Sequence, residues 1–282
     1  MHQLGRVFLV LGLAMLLTAC SNSPKEDFVD RMDREHEGDA PVENAAQDLK
    51  QSAAVSGEEV QYATVNGQEI TGYMARPEGA TNAPGIIVIH EWWGLNDNIR
   101  MMADKLAGEG YTALAVDLYN GKVAESSDSA GTYARSVDDK EALDNLTQAY
   151  GYLNKKQGAE NIGVIGWCFG GAWSLNTALA HPQKIDATVI YYGRLVTDTQ
   201  KLKTLEMPVL GIFGEEDGGI PPKKVKEFES ALNEADVENA IHIYEGAGHA
   251  FANPSGTRYV EKAAEDAWQK TVRFLEQNLK GE

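Results

Sequence analysis

The chain has 282 residues, 43% of them hydrophobic, enough to fill the core of one α/β domain of ordinary size. A formal net charge of −17, from 42 acidic against 25 basic residues, argues against a nucleic-acid partner, because such a surface repels a phosphate backbone. There is no internal repeat, and with only Cys20 and Cys168 present a disulfide scaffold is not expected.

The first residues differ in kind from the rest. Met1–Arg6 is short and basic, and Val7–Leu17 is an apolar run too short for a comfortable membrane span but suited to a signal h-region. Leu17-Thr18-Ala19-Cys20 resembles a bacterial lipobox, in which the cysteine is lipidated and becomes the first residue of the mature chain. Residues 1–19 are therefore expected to be a leader, with a membrane anchor on Cys20. The protein is expected in the bacterial envelope. Ser21 in place of aspartate favours the outer membrane, facing the periplasm. Residues 20–58 are polar and acidic, with few large apolar side chains, and are expected to form a flexible tether. A catalytic domain is expected over 59–282, acting as a monomer.

Within that domain, Glu59–Thr64 and Glu69–Ala75 alternate around Asn66-Gly67, a hairpin signal. Gly85–His90 reads as a buried strand, and Asn96-Asp97-Asn98 offers caps for a helix to about Glu109. Tyr111–Val116 is the next strand, leading into Asp117-Leu118-Tyr119. A loop over Asn120–Ser129 precedes a long helical region to about Lys156. Further strands are expected at Asn161–Ile165, Ala187–Tyr191, Pro208–Phe213 and Ala240–Tyr244, and an amphipathic helix over Arg258–Leu279 closes the chain. Strands alternating with helices predict a mostly parallel sheet covered on both faces.

Chemistry gathers where three of these strands end. Gly166-Trp167-Cys168-Phe169-Gly170 sits between a strand and an apolar helical segment, Ala172–Ala180, the arrangement of a nucleophile elbow with sulfur at its apex. Asp217 lies in a loop behind a strand and ahead of a proline-opened helix. His249 follows the next strand in the Gly-rich loop Gly246–Phe251. Nucleophile, acid and histidine in that order are the α/β-hydrolase order. A buried thiol could equally be a packing residue, but with Cys20 assigned to lipid, a lone thiol kept in an oxidising compartment is better explained by use.

Together, Glu91 in His90-Glu91-Trp92-Trp93-Gly94, the Gly166–Gly171 elbow, Tyr191-Tyr192-Gly193, Asp217 and Gly248–Phe251 resemble the dienelactone hydrolase family over roughly residues 58–280. The resemblance implies an α/β-hydrolase fold with Cys168 as nucleophile, His249 as base and Asp217 orienting it. It also implies that Glu91 contacts the resting thiol and helps form thiolate, with the amides of Trp92 and Phe169 as oxyanion donors. No cofactor is implied. The chain departs from the family at Asn253, where family members carry a carboxylate-binding arginine. Arg135 and Arg258 are candidate replacements, and neutral esters are expected to be preferred over small anionic lactones.

Trp93, Tyr191, Tyr192 and Asn253 are candidate pocket residues, and His242 reads as structural. Six histidines and one free thiol show no metal-ligand spacing, so no metal is expected. The expected function is hydrolysis of small-molecule esters, lactones or thioesters through an acyl-thioenzyme. The alternatives are a non-catalytic envelope protein on the same fold and a thiol acyltransferase on the same site.

Overall fold

The computed structural model describes residues 24–41 and 54–281; the leader expected over 1–19, Cys20 and residues 42–53 lie outside them. Eight strands form one sheet in the order β1-β2-β4-β3-β5-β6-β7-β8: β1 Val55–Val65, β2 Gln68–Pro77, β3 Gly85–Ile89, β4 Thr112–Val116, β5 Ile162–Trp167, β6 Ala187–Tyr191, β7 Val209–Gly214 and β8 Asn239–Tyr244. β1, β2 and β4 pair antiparallel, and every other pairing is parallel. This is the α/β-hydrolase sheet that the sequence implies.

The strand sequences explain their positions. β3 through β7 are apolar runs buried along their whole length, as required of parallel strands covered on both faces. β1, exposed over much of its length, occupies one edge and β8, half-buried, the other. Asn66 and Gly67 both take positive φ, 48° and 79°, the backbone a two-residue hairpin with right-twisted strands demands.

Helices cover both faces: α2 Asp97–Gly108, α3 Ser127–Ser136, α4 Asp139–Gly151, α5 Phe169–Ala180, α6 Thr199–Leu202, α7 Pro222–Glu234 and α8 Glu261–Leu275. Asn96 caps α2 through its side chain, 3.2 Å from the Ile99 amide. The long helical region expected before Lys156 is two helices. Val137 is extended, and Asp138 opens α4 by accepting from the Lys140 and Glu141 amides. A cap beats continuity there.

A further helix, α1 Pro24–Glu35, precedes the sheet and packs on α3. Here the chain departs from the expected solvated tether. Phe28, Val29, Met32 and His36 share one helical face by their spacing, and each is less than 5% exposed. A segment with few apolar residues is ordered because those it has fall on a single stripe.

The elbow depends on close backbone packing. A Cβ at Gly170 would lie 2.3 Å from the Ile89 carbonyl oxygen, and one at Gly166 would lie 2.3 Å from the Gly170 carbonyl. Neither neighbour can move without shifting the sheet. Gly170→Ala is therefore expected to cost more than about 2 kcal/mol. Gly248→Ala, where a Cβ meets nothing within 4 Å, should cost less than about 0.5 kcal/mol. Urea unfolding of both variants checks the contrast; equal losses would show that the close approach is not what holds the elbow.

Candidate active site

Cys168 stands between β5 and α5 with φ 52° and ψ −110°, a backbone that L residues rarely adopt. The strain, of order 1–3 kcal/mol, is sustained by the packing of Gly166 and Gly170 on either side. It places the sulfur over the sheet's C-terminal edge, beside the first amide of α5. The Phe169 N–H faces that sulfur and favours its anionic form.

His249 and Asp217 come from the loops after β8 and β7. Asp217 Oδ2 accepts from His249 Nδ1 at 2.7 Å, and Oδ1 accepts from the amides of Gly219 (2.9 Å) and Ile220 (2.7 Å). Burial alone would push Asp217 up, but His249 and those amides together hold its carboxyl below the ordinary range. Burial alone would push His249 down; the charges of Asp217 and of the Cys168 sulfur instead hold it well above its ordinary value. His249 Nε2 is buried and, among the described residues, has no hydrogen-bond partner of ordinary geometry; the Cys168 sulfur is the group that it faces. Ligating atoms of His249, Cys168 and His36 all lie within 4.8 Å of one another. Burial raises the Cys168 thiol, and His249 opposes that rise.

Glu91 is carried by the turn after β3, which a rigid frame fixes. His90 Nδ1 donates to the Glu91 carbonyl at 2.7 Å, and His90 Nε2 accepts the Leu118 amide at 3.2 Å. The Asp117 carboxylate accepts the amides of Tyr119 and Gly121 and so holds the neighbouring loop. Glu91 Oε1 accepts from the Tyr192 hydroxyl at 3.1 Å, and Oε2 accepts from Asn253 Nδ2. Burial pushes Glu91 up to about 7, with Tyr192, His249 and Asn253 pulling the other way. Both carboxylate oxygens are thus occupied, rather than resting on the thiol as the family resemblance implies.

The chain matches the family model described as "Dienelactone hydrolase family" over residues 70–279. It belongs to the dienelactone hydrolase family. Protein usf of Aquifex pyrophilus is 31% identical over 223 residues, spanning 76% of this chain and 96% of that protein. A Salmonella typhimurium protein provisionally named a carboxymethylenebutenolidase is 32% identical over 228 residues, covering 75% of this chain and 84% of its own. A crystal structure of a Klebsiella pneumoniae protein, provisionally called a dienelactone hydrolase, superposes with a TM-score of 0.73 at 28% identity, covering 79% and 99% of the two chains. The chain is accordingly a hydrolase of the carboxylic ester type.

Against this family background, the structure brings Cys168, Asp217, His249, Glu91, Trp92, Phe169 and Tyr192 together. Trp93 joins them through His36, their rings 5.6 Å apart. Tyr191 does not line the site: its hydroxyl bonds Thr271 of α8 at 2.7 Å and its ring packs on Trp167. As the last residue of β6 it points into the core, whereas Tyr192 takes φ 35° and sets its ring 5.2 Å from that of His249. Asn253 binds Glu91 and accepts from the Ser255 amide and hydroxyl, each at 2.8 Å, so it serves as a positioning residue and not as an open substrate contact.

Arg135 and Arg258, the candidate carboxylate binders, are both engaged by the segment before the sheet. Arg135 pairs with Asp30 (2.9 Å) and Asp33; Arg258 pairs with Asp39 (2.7 Å) and Glu35 (3.6 Å). Two site residues escaped the sequence reading altogether, Met32 and His36. The Met32 sulfur is 3.6 Å from Cys168 Sγ, and His36 Nε2 is 4.0 Å from it. The only signal was the 28, 29, 32, 36 spacing, which names a stripe but not its partner. His36, Cys168 and His249 also form a donor set that could hold a soft divalent ion, a grouping invisible as sequence spacing. Such an ion would occupy both the thiol and the histidine.

Glu91 yields a signed pH prediction. Folding raises its pKa from 4.5 to about 7, so the native protein holds a proton that the unfolded chain releases between those values. The stability tied to that proton is complete below about pH 4.5 and is lost as pH climbs through 7. Between pH 5 and 8 the native protein should lose about 2–3 kcal/mol more than Glu91→Gln, which carries no such proton. Denaturant unfolding at the two pH values measures it. Parallel losses would mean that Glu91 is ionised throughout.

Proposed function

We propose that Cys168, His249 and Asp217 act as nucleophile, base and orienting acid in the hydrolysis of small-molecule esters, lactones or thioesters. The observation that carries this reading is the buried His249 ring, its Nδ1 fixed by Asp217 and its Nε2 turned to a strained thiol. Histidine takes the thiol proton, and the thiolate attacks the substrate carbonyl carbon. The developing oxyanion is received by the amides of Trp92 and Phe169. The acyl carbon's bond to its leaving oxygen or sulfur breaks, the leaving group takes the proton from His249, and an acyl-thioenzyme remains. Water, deprotonated by His249, then releases the acid and restores the thiol. Glu91, with a pKa near neutrality, is placed to exchange a proton within the same buried cluster. Amides are poor candidates, because their leaving group needs stronger proton donation.

Two experiments test the proposal. Cys168→Ala and His249→Ala should each remove nearly all hydrolysis of p-nitrophenyl esters with the fold intact, while Asp217→Asn loses no more than either. More than about a tenth of the activity left in Cys168→Ala would overturn the nucleophile assignment. Mass spectrometry would show an acyl adduct on the Cys168 peptide. An adduct that persists in water but turns over when an alcohol acceptor is added would instead favour acyl transfer.

The envelope location belongs to the same proposal and is supported by the basic start Met1–Arg6, the apolar run Val7–Leu17 and the Leu17–Cys20 motif. Cys20 is lipidated, several acyl chains on one residue giving a firm anchor where a single chain would not. The mature protein should partition with membranes, and Cys20→Ser should release it. A mature N-terminal peptide without diacylglycerol on Cys20 would sink the anchor.

A further inference from the structure

The thiol that should meet substrate is 1% exposed, and what covers it is α1. Met32 is fully buried with its sulfur 3.6 Å from Cys168 Sγ, and its methyl packs close enough to Gly219 that a Cβ there would lie 2.3 Å away. His36, just beyond the helix, lies 5.7 Å from the Trp92 ring in a stacked arrangement and meets the Trp93 and His249 rings edge-on at 5.6 and 5.4 Å. These side chains fill the space over the sulfur that an acyl carbonyl would enter.

The cover is also clamped. At one end Arg135 holds Asp30 and Asp33, and the Phe28 ring sits under the Arg194 guanidinium at 5.9 Å. At the other, Arg258 holds Glu35 and Asp39, while Asp39 also meets His36 at 3.1 Å. The clamps are carboxylate–guanidinium pairs that are 20–42% exposed, and therefore weak singly and screened by salt. The family match begins at residue 70, so α1 lies outside the matched region.

We propose that α1 and His36 form an intramolecular plug that switches the active site off, and that hydrolysis requires the plug to leave. The inference rests on Cys168 being the reactive thiol. Burial holds His36 down at about 3, so the docked ring is neutral, and the buried thiol is correspondingly less reactive than a hydrated one. Undocking exposes Cys168, the oxyanion amides and the two arginines together, without any change in the sheet.

The test uses the full-length chain and two readouts: iodoacetamide labelling of Cys168, followed on its own peptide by mass spectrometry, and hydrolysis of p-nitrophenyl acetate. Phe28→Asp with Met32→Asp breaks the apolar seat, and Arg135→Asp breaks one clamp. The double variant should speed labelling and hydrolysis by at least about tenfold, the size expected when a mostly closed state becomes mostly open, and Arg135→Asp, which loses only exposed pairs, by about three- to fivefold. Adding Asp33→Arg to Arg135→Asp should slow both again, which a purely destabilising effect would not do. Labelling rates within about twofold of the unaltered protein in both opened variants would overturn the plug. Faster labelling without any hydrolysis would support the plug and overturn the esterase reading instead.

Discussion

At the catalytic end of the molecule, α5 presses its first turn against the end of β3, with Gly170 meeting the carbonyl oxygens of Ile89 and His90. The contact ties two elements that chemistry needs in register. β5 and α5 deliver Cys168, while the turn after β3 delivers Glu91 and the Trp92 amide. A side chain at Gly166 or Gly170 would push these apart, and the strained backbone of Cys168 would then relax. The thiol is held over the sheet edge by backbone packing, and the core sustains the strain at Cys168.

From that constraint the electrostatics follow. A thiol held at a helix N-terminus, a histidine fixed by a buried aspartate and a glutamate held near neutrality all sit in one buried volume. Their charges are strongly linked, so moving one proton moves the others. Tyr192 and Asn253 matter because each gives Glu91 a hydrogen bond that would otherwise be missing, and a buried carboxylate with no donor would be costly. Asn253 thus supplies one neutral donor to an acid that must stay buried.

The parallel strands and the elbow were legible in the sequence because they depend on local patterns: continuous apolar runs, glycines at fixed offsets, and loop residues after strands. Asp217 and His249 were legible for the same reason. The break at Asp138 was also written locally, as a capping residue inside a helical run, but continuity of pattern masked it. Tyr191 and Tyr192 mark the limit of that reading. They are adjacent, chemically identical and both buried, and only the φ of 35° at Tyr192 turns one towards His249 while the other reaches Thr271. The helix over Cys168 was illegible for a different reason. Its stripe of Phe28, Val29, Met32 and His36 pairs with a surface assembled from residues more than fifty positions away, Trp92, Trp93 and Cys168 among them, so nothing local distinguishes it from a solvated acidic segment.

That asymmetry bears on how such a cover can function. A helix of twelve residues is too short to hold itself together in water, so α1 is stable only while docked. Docking must offset the entropy of ordering the whole segment, and each fully buried side chain contributes only roughly 1.5–3 kcal/mol towards that. The exposed arginine pairs add little more. A balance of this kind leaves closed and open forms separated by a small free energy, which modest changes can tip. The domain beneath gains its stability from a sheet and core in which α1 has only a peripheral share, so the cover can leave without unfolding what it covers. An inhibitory element with these properties has to be marginal: a helix that bound more tightly would exclude substrate permanently, and one without the Met32 contact would leave the thiol open to oxidation.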